Sequence, residues 1–275
     1  VGLRSPGAKH LKTYDSPFSR IDLFKSPAVR FAPGLSLRYL ERLPQQIGFS
    51  IDGGDINAVT AAEDRKSLAF LHYLPSALPY ALRRNEEILV MDPKGGLQVL
   101  VAQYYDSKKI DKIESNPLLI RIIEKDLKEF SGGLYSANTA SGLGRGWLRS
   151  KGKAYDLIDL SLMGTVPSGS FGISEDYRFT VEAFKEYFHY LKPEGLLSLN
   201  LFIVPPPRIE LRLLHTLLAA LEESGAKEAG KQIAAIRSWG TICLLFKKSP
   251  FTSDEIEAIK RFATDRRFDL IYTPG

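Results

Sequence analysis

Glu87-Ile88-Leu89-Val90-Met91-Asp92-Pro93-Lys94-Gly95-Gly96 is the stretch on which the reading of this chain turns. It opens with a short apolar run of the kind that is buried in a parallel sheet. A turn with two adjacent glycines follows, directly before a predicted helix over 96–105. Glycines there let a backbone approach a ligand closely, and the amides of the helix point at it. The same two glycines also suit a turn with no ligand, so the stretch by itself leaves both readings open.

Working outward, the pattern repeats. Strands are predicted over 110–114, 134–137, 155–161 and 196–204, and helices over 117–130, 178–191 and 209–221. Pro117 suits a first helical turn, while Pro193 and Gly195 suit a helix end. A tight strand pair is predicted over 234–239 and 241–246, joined through Gly240. The last helix spans 253–263, with Ser253 as its cap and Glu255 and Glu257 near its positive end. Repeated strand-helix units imply an α/β fold: a Rossmann-like, mostly parallel sheet with helices on both faces. Ligands in such sheets sit at the carboxyl ends of the strands, where strand order reverses.

Upstream the composition changes. Residues 1–62 are rich in Pro and Gly and hold short β-type runs, and Asp52-Gly53-Gly54-Asp55 reads as a hairpin turn. We expect a small β-rich module over 1–62 and a Rossmann-like nucleotide-binding domain over 63–275. Residues 67–82 should be helical but broken by Pro75 and Pro79.

The 275 residues are 44% hydrophobic and 25% charged, enough for a globular core. The net charge of +5 is compatible with an anionic ligand or surface and specifies neither. Lys and Arg are spread along the chain, which argues against a nucleic-acid binder. The lone Cys243 excludes an internal disulfide and reads as a small buried hydrophobe. His10, His72, His189 and His215 show no metal-ligand spacing, and no metal is expected. No apolar run approaches the ~20 residues that span a bilayer. With no such run and no signal peptide a soluble cytoplasmic chain is expected, and its start at Val1 and abrupt stop suggest an excised fragment. A membrane anchor outside it and a homodimer are both compatible with that expectation.

Two carboxylates stand out. Glu114 ends the second parallel strand about twenty residues after the glycines, where an acid can accept hydrogen bonds from ribose hydroxyls; the competing reading is a solvated strand-end glutamate. Asp159 lies within a buried strand, on the face shared by Leu157 and Ser161. A carboxylate there is costly unless paired or given a task, so it is either a structural acid or a substrate-facing one. The basic stretch 145–153 with Trp147 reads either as a solvated helix or as a phosphate or membrane-surface patch.

The order of these segments resembles the spermidine synthase (aminopropyltransferase) family, within the class I S-adenosylmethionine-dependent methyltransferase-like fold. The resemblance runs from about residue 16 to 247. It is carried by the Gly-Gly loop, Ile113-Glu114-Ser115-Asn116-Pro117, Tyr155-Asp156-Leu157-Ile158, Thr180-Val181-Glu182-Ala183-Phe184 and Leu191-Lys192-Pro193-Glu194-Gly195. Ile51-Asp52-Gly53 and the His72–Pro79 segment fit as well. The resemblance implies a nucleoside ligand, S-adenosylmethionine or its decarboxylated form, held by Asp92, Gly95, Gly96, Glu114 and Asn138. It implies a substrate side formed by His72, Ser161 and Tyr177; Asp159, read from its own place in the strand, is the best remaining catalytic base.

The departures bear on activity. Met91, Asp92, Pro93 and Lys94 fill most of a loop that is glycine-rich in the family, and Lys94 replaces an acid. The family's adenine-side aspartate, near Leu143-Gly144-Arg145, has no counterpart. Its catalytic aspartate falls on Ser161, and a second polyamine-binding acid falls near Gly164. A polycationic acceptor would lose both charge complementarity and a general base. Two expectations follow: an alkyl transferase with an unknown acceptor, or a catalytically degenerate binding or regulatory module of the same fold. The two differ in one observation: whether the strand-end cleft is open and acidic or filled by side chains such as Met91 and Tyr177. A flexible lid is expected over Ser168-Gly169-Ser170-Phe171-Gly172, with Glu175 and Asp176 as replacement acids. A nicotinamide-dependent oxidoreductase ranks last, for want of a complete G-x-G-x-x-G.

Overall fold

The computed structural model describes residues 5–54, 56–62, 64–82, 86–163, 177–203 and 209–275, excepting the side chains of 162 and 163. The sequence near the amino terminus forms a four-stranded antiparallel sheet: β1 (Lys9–Asp15), β2 (Arg20–Lys25), β3 (Gln46–Ile51) and β4 (Ile56–Thr60), in that order. The expected turn after β3 is present. Asp52 and Gly53 both take left-handed φ angles of 52° and 68°, and the Gly54 amide donates to the Ile51 carbonyl at 2.9 Å. Two successive positive φ angles match the twist of the flanking strands.

The second layer system begins with two short 3₁₀ turns, Ser67–Tyr73 and Pro75–Ala77, and α1 (Leu78–Leu82). It continues through β5 (Glu87–Met91), α2 (Leu97–Tyr104), β6 (Lys109–Glu114), α3 (Pro117–Arg121), β7 (Thr139–Ser141), α4 (Gly144–Lys151) and β8 (Tyr155–Met163). It closes with α5 (Val181–His189), β9 (Leu191–Phe202), α6 (Ile209–Glu223), β10 (Ile233–Arg237), β11 (Thr241–Lys247), α7 (Ser253–Arg266) and β12 (Asp269–Tyr272). The eight-stranded sheet has the order β12-β10-β11-β9-β8-β5-β6-β7. Strands β7, β6, β5, β8 and β9 pair in parallel, whereas β11 runs antiparallel to both β9 and β10. Strand order reverses between β5 and β8, which puts the crevice for a ligand at their carboxyl ends.

Several expected boundaries move. The strand expected over 134–137 is instead a run of turns, and pairing with β6 begins at Thr139. Leu134 and Tyr135 are buried there all the same, and the Tyr135 hydroxyl donates to the Lys94 carbonyl at 2.7 Å. These side chains plug the core from a loop, an arrangement that an apolar run does not distinguish from a strand. The helix expected over 117–130 is α3 followed by a π-helical turn, Ile122–Asp126. The helix expected from 178 to 191 begins only at Val181, after its cap Thr180, and Leu191 already belongs to β9. Helix α7 is capped by Thr252 rather than Ser253, through a reciprocal capping box with Glu255. Val204, expected to end a strand, lies outside the described residues.

The two sheets share one apolar core. Ile21, Leu23 and Phe49 of the amino-terminal sheet belong to the same buried cluster as Val90, Leu100 and Leu119. Polar ties reinforce it: Asn116 Nδ2 donates to Ser19 Oγ at 2.9 Å, and Ser36 Oγ donates to the Arg266 carbonyl at 2.5 Å. Among the described residues no helix is long and apolar enough to cross a membrane.

Candidate functional site

Glu114 ends β6 beside the loop after β5, as the spacing suggested. Its carboxylate is wholly buried and turned onto that loop. Oε2 accepts from the Lys94 amide at 3.0 Å, Oε1 accepts from the Asn116 amide at 3.0 Å, and Lys94 Nζ lies 3.6 Å from Oε1. Burial pushes the carboxyl up from its ordinary value, against the pull of Lys94. Asp92 is engaged in the same way. Its Oδ1 accepts from the Ser115 amide at 2.9 Å and its Oδ2 pairs with Arg178 at 2.5 Å. Burial opposes its charge, but Lys94, Arg178 and the Ser115 hydrogen bonds prevail and hold Asp92 below the usual carboxylate range.

The loop keeps a glycine-demanding shape with few glycines. Asp92 and Lys94 sit at φ values of 49° and 52°, and Gly96 at 83°. For a side chain such as lysine this left-handed conformation costs about 1–2 kcal/mol. Gly95 has another reason to be glycine: an added Cβ would fall on the Ala58 carbonyl oxygen of β4. At Gly96 the corresponding space is taken by Leu134, and Met91 fills the space beside Gly144 at the start of α4. The glycines therefore admit parts of the protein itself. The small cavity beside Pro93, Lys94, Gly95, Gln98 and Ser161 measures about 20 Å³, roughly the room of one water molecule.

Asp159 occupies the middle of β8 and is completely buried. Tyr80 donates to Oδ2 at 2.6 Å, Gln98 Nε2 to Oδ2 at 2.8 Å and Asn200 Nδ2 to Oδ1 at 3.3 Å. Burial pushes its carboxyl up to about 6, and these three donors limit the rise. Ser161, one turn of the pleat further along the same face, is buried and its Oγ makes no hydrogen bond among the described residues.

The remaining expected residues are not gathered at this rim. His72 contacts Arg266 through Nε2 and the Tyr105 hydroxyl through Nδ1 at 2.5 Å, and burial, then the Arg266 charge, lowers its pKa. Two aromatic rings, Tyr105 and Tyr80, separate it from Asp159. Asn138 is exposed at the amino end of β7, not at the carboxyl end where a ligand contact was expected, because the strand starts later than the apolar run implied. Tyr177 is partly exposed and its carbonyl accepts from Arg145 at 3.2 Å. Trp147 lies on α4, whose Arg145 and Arg149 share the single acid Glu186, while Lys153 just beyond pairs with Asp111. Gly164, the lid over 168–172, Glu175 and Asp176 lie outside the described residues, which also contain no cluster of groups able to hold a metal ion.

Sequence reasoning missed Arg178, Tyr80, Gln98 and Asn200. For Gln98 and Asn200 a signal existed: Gln98 is the one polar residue in Leu97 to Ala102, and Asn200 shares the run Leu196 to Phe202 only with Ser198.

The sheet order, the crevice at β5 and β8 and the appended antiparallel sheet define a spermidine synthase-like α/β fold. Solved structures bear this out. The spermidine synthase from Thermotoga maritima matches at a TM-score of 0.57 and 17% identity, over 92% of this chain and 78% of that one. A spermidine synthase in complex with the transition state analogue AdoDATO gives the same values. A probable spermidine synthase from Corynebacterium glutamicum matches at 0.56 and 16%, over 91% and 86%. No family model and no curated protein matches the sequence.

Proposed function

We propose that this chain is a non-catalytic binding or regulatory domain built on the spermidine synthase-like fold, its nucleoside crevice filled by its own residues. One observation carries the reading: the Glu114 carboxylate is spent on Lys94 and Asn116 with no exposed surface. S-adenosylmethionine, or its decarboxylated form, does not fit the described residues as they stand. A ribose would have to displace Lys94 from Glu114, and the glycine spaces are taken by Ala58 and Leu134. Asp159 is likewise enclosed by Tyr80, Gln98 and Asn200, so it is read as a structural acid.

A second reading is favoured by a different fact. Glu114 and the Gly-Gly loop do meet at one crevice rim, and Asp159 has a carboxyl raised to about 6 behind it. In that reading the domain is an alkyl transferase. Asp92, Gly95, Gly96 and Glu114 would hold the nucleoside, and Asp159 would serve as base for an acceptor lying toward Ser161.

Calorimetry with S-adenosylmethionine, decarboxylated S-adenosylmethionine and methylthioadenosine separates the two. The first reading expects no heat up to about 1 mM ligand, the upper end of ordinary enzyme substrate affinities. Micromolar binding that disappears in Glu114→Ala would overturn the filled crevice, and transfer of an alkyl group from the bound nucleoside to an amine, lost in Asp159→Asn, would establish the transferase reading.

A further inference from the structure

We propose that this domain docks on an anionic lipid surface through the cationic groove of its amino-terminal sheet and the apolar loop beside it. The groove has a volume of about 870 Å³ and is lined by Lys9, Lys25, Arg30 and Arg42, with Glu41 as its acid. Lys9 and Lys25 are direct cross-strand partners between β1 and β2. Like charges in that position repel. None of the four cations makes an ion pair among the described residues, unlike Lys12, Arg20 or Arg65. The first 62 residues hold eight Lys and Arg against five Asp and Glu, so much of the chain's excess charge of +5 resides there. Four cations against one acid around one concavity leave an excess of positive charge that favours an anion from outside the chain.

The rim says which anion source is favoured. Leu40 lines the groove and is 89% exposed, and Leu37 is 76% exposed on the same loop. Trp239, at the tip of the β10–β11 hairpin, is 74% exposed, and its indole N–H donates to the Leu35 carbonyl at 3.2 Å. That bond brings the tryptophan to the base of the leucine loop. Protruding leucines, an amphipathic tryptophan and adjacent cations match a bilayer interface, where apolar tips enter the headgroup layer and cations meet anionic headgroups. A protein partner would favour a contiguous, well-packed apolar patch over separate protruding tips. The inference is independent of whether the nucleoside crevice is active.

The test is co-sedimentation with phosphatidylcholine vesicles, with and without phosphatidylserine, at low and high salt. Binding is expected only with phosphatidylserine and should weaken as salt rises. Lys9→Gln with Lys25→Gln should lower affinity by about 25-fold, at about fivefold per cation. Leu37→Ser with Leu40→Ser should also weaken binding, with thermal unfolding unchanged because both side chains are exposed. No binding at low salt, or binding that ignores both double variants, overturns the proposal. Binding of free inorganic pyrophosphate without vesicle binding overturns it too, and makes the groove a site for soluble phosphates.

Discussion

The backbone amide of Lys94 donates to the carboxylate of Glu114 at 3.0 Å, and the ammonium of the same lysine lies 3.6 Å from that carboxylate. One residue thus supplies both a dipole and a charge to the acid that ends the second parallel strand. The geometry that could grip a sugar is the same geometry that makes the loop self-sufficient.

Replacing Lys94 tests that dependence. Lys94→Gly relieves the left-handed backbone but removes the cation beside a buried carboxylate. The Glu114 carboxyl, already raised by burial, should rise further. A raised folded-state value leaves stability intact below the unfolded pKa, near 4.5, and withdraws it as pH climbs. The variant should therefore resemble the wild type near pH 4.5 and fall behind by about 1–3 kcal/mol at pH 7.5. Urea unfolding at the two pH values measures this; an equal deficit at both would show that Lys94 contributes no charge effect.

Gly95→Ala should be among the most damaging single-methyl changes in the chain. Its Cβ would collide with the Ala58 backbone, which cannot rotate away as a side chain would. A cost of about 3 kcal/mol is expected, in the range of overpacked cores. The collision lies between the two sheets, and it bears on our proposal that residues 1–62 and 63–275 are distinct sequence modules. Because one apolar cluster spans both sheets, they should still melt in a single calorimetric transition, at lower temperature in the variant. Two resolved transitions in the wild type would contradict this coupling.

Asp159 gives a pH signature of its own. Its folded-state pKa of about 6 stands above the ordinary 3.8. Its contribution is thus fully present below about pH 4 and lost as pH rises through 6, a change of about 3 kcal/mol. Glu87 works in the opposite sense: its carboxyl is lowered to about 2, chiefly by Lys192, so its contribution is lost as pH falls below 4.5. Asp159→Asn should abolish the loss between pH 4 and 6 while leaving the acid limb unchanged. Stability against pH for both proteins decides it, and parallel curves would reject the assignment.

The site was only partly legible in the sequence. Glu114 and the glycines could be found because their spacing follows from one strand-helix-strand unit. The shell around Asp159 could not, because Tyr80, Gln98 and Asn200 come from three elements 79, 61 and 41 residues away. His72 and Asn138 were assigned on resemblance and on an apolar run. Arg266, 194 residues from His72, and the late start of β7 place them elsewhere.

By itself the sequence determined the alternation of strands and helices, the antiparallel pair at the end and the tight turn at Asp52-Gly53. Burial periodicity and turn chemistry are local, and each segment carries its own. Only the tertiary structure decided that Gly95 abuts Ala58, that Lys94 occupies Glu114 and that Arg178 covers Asp92. Those pairings depend on which surfaces the folded layers press together, and a space left by a missing side chain looks the same in sequence whether a ligand or the protein's own backbone fills it.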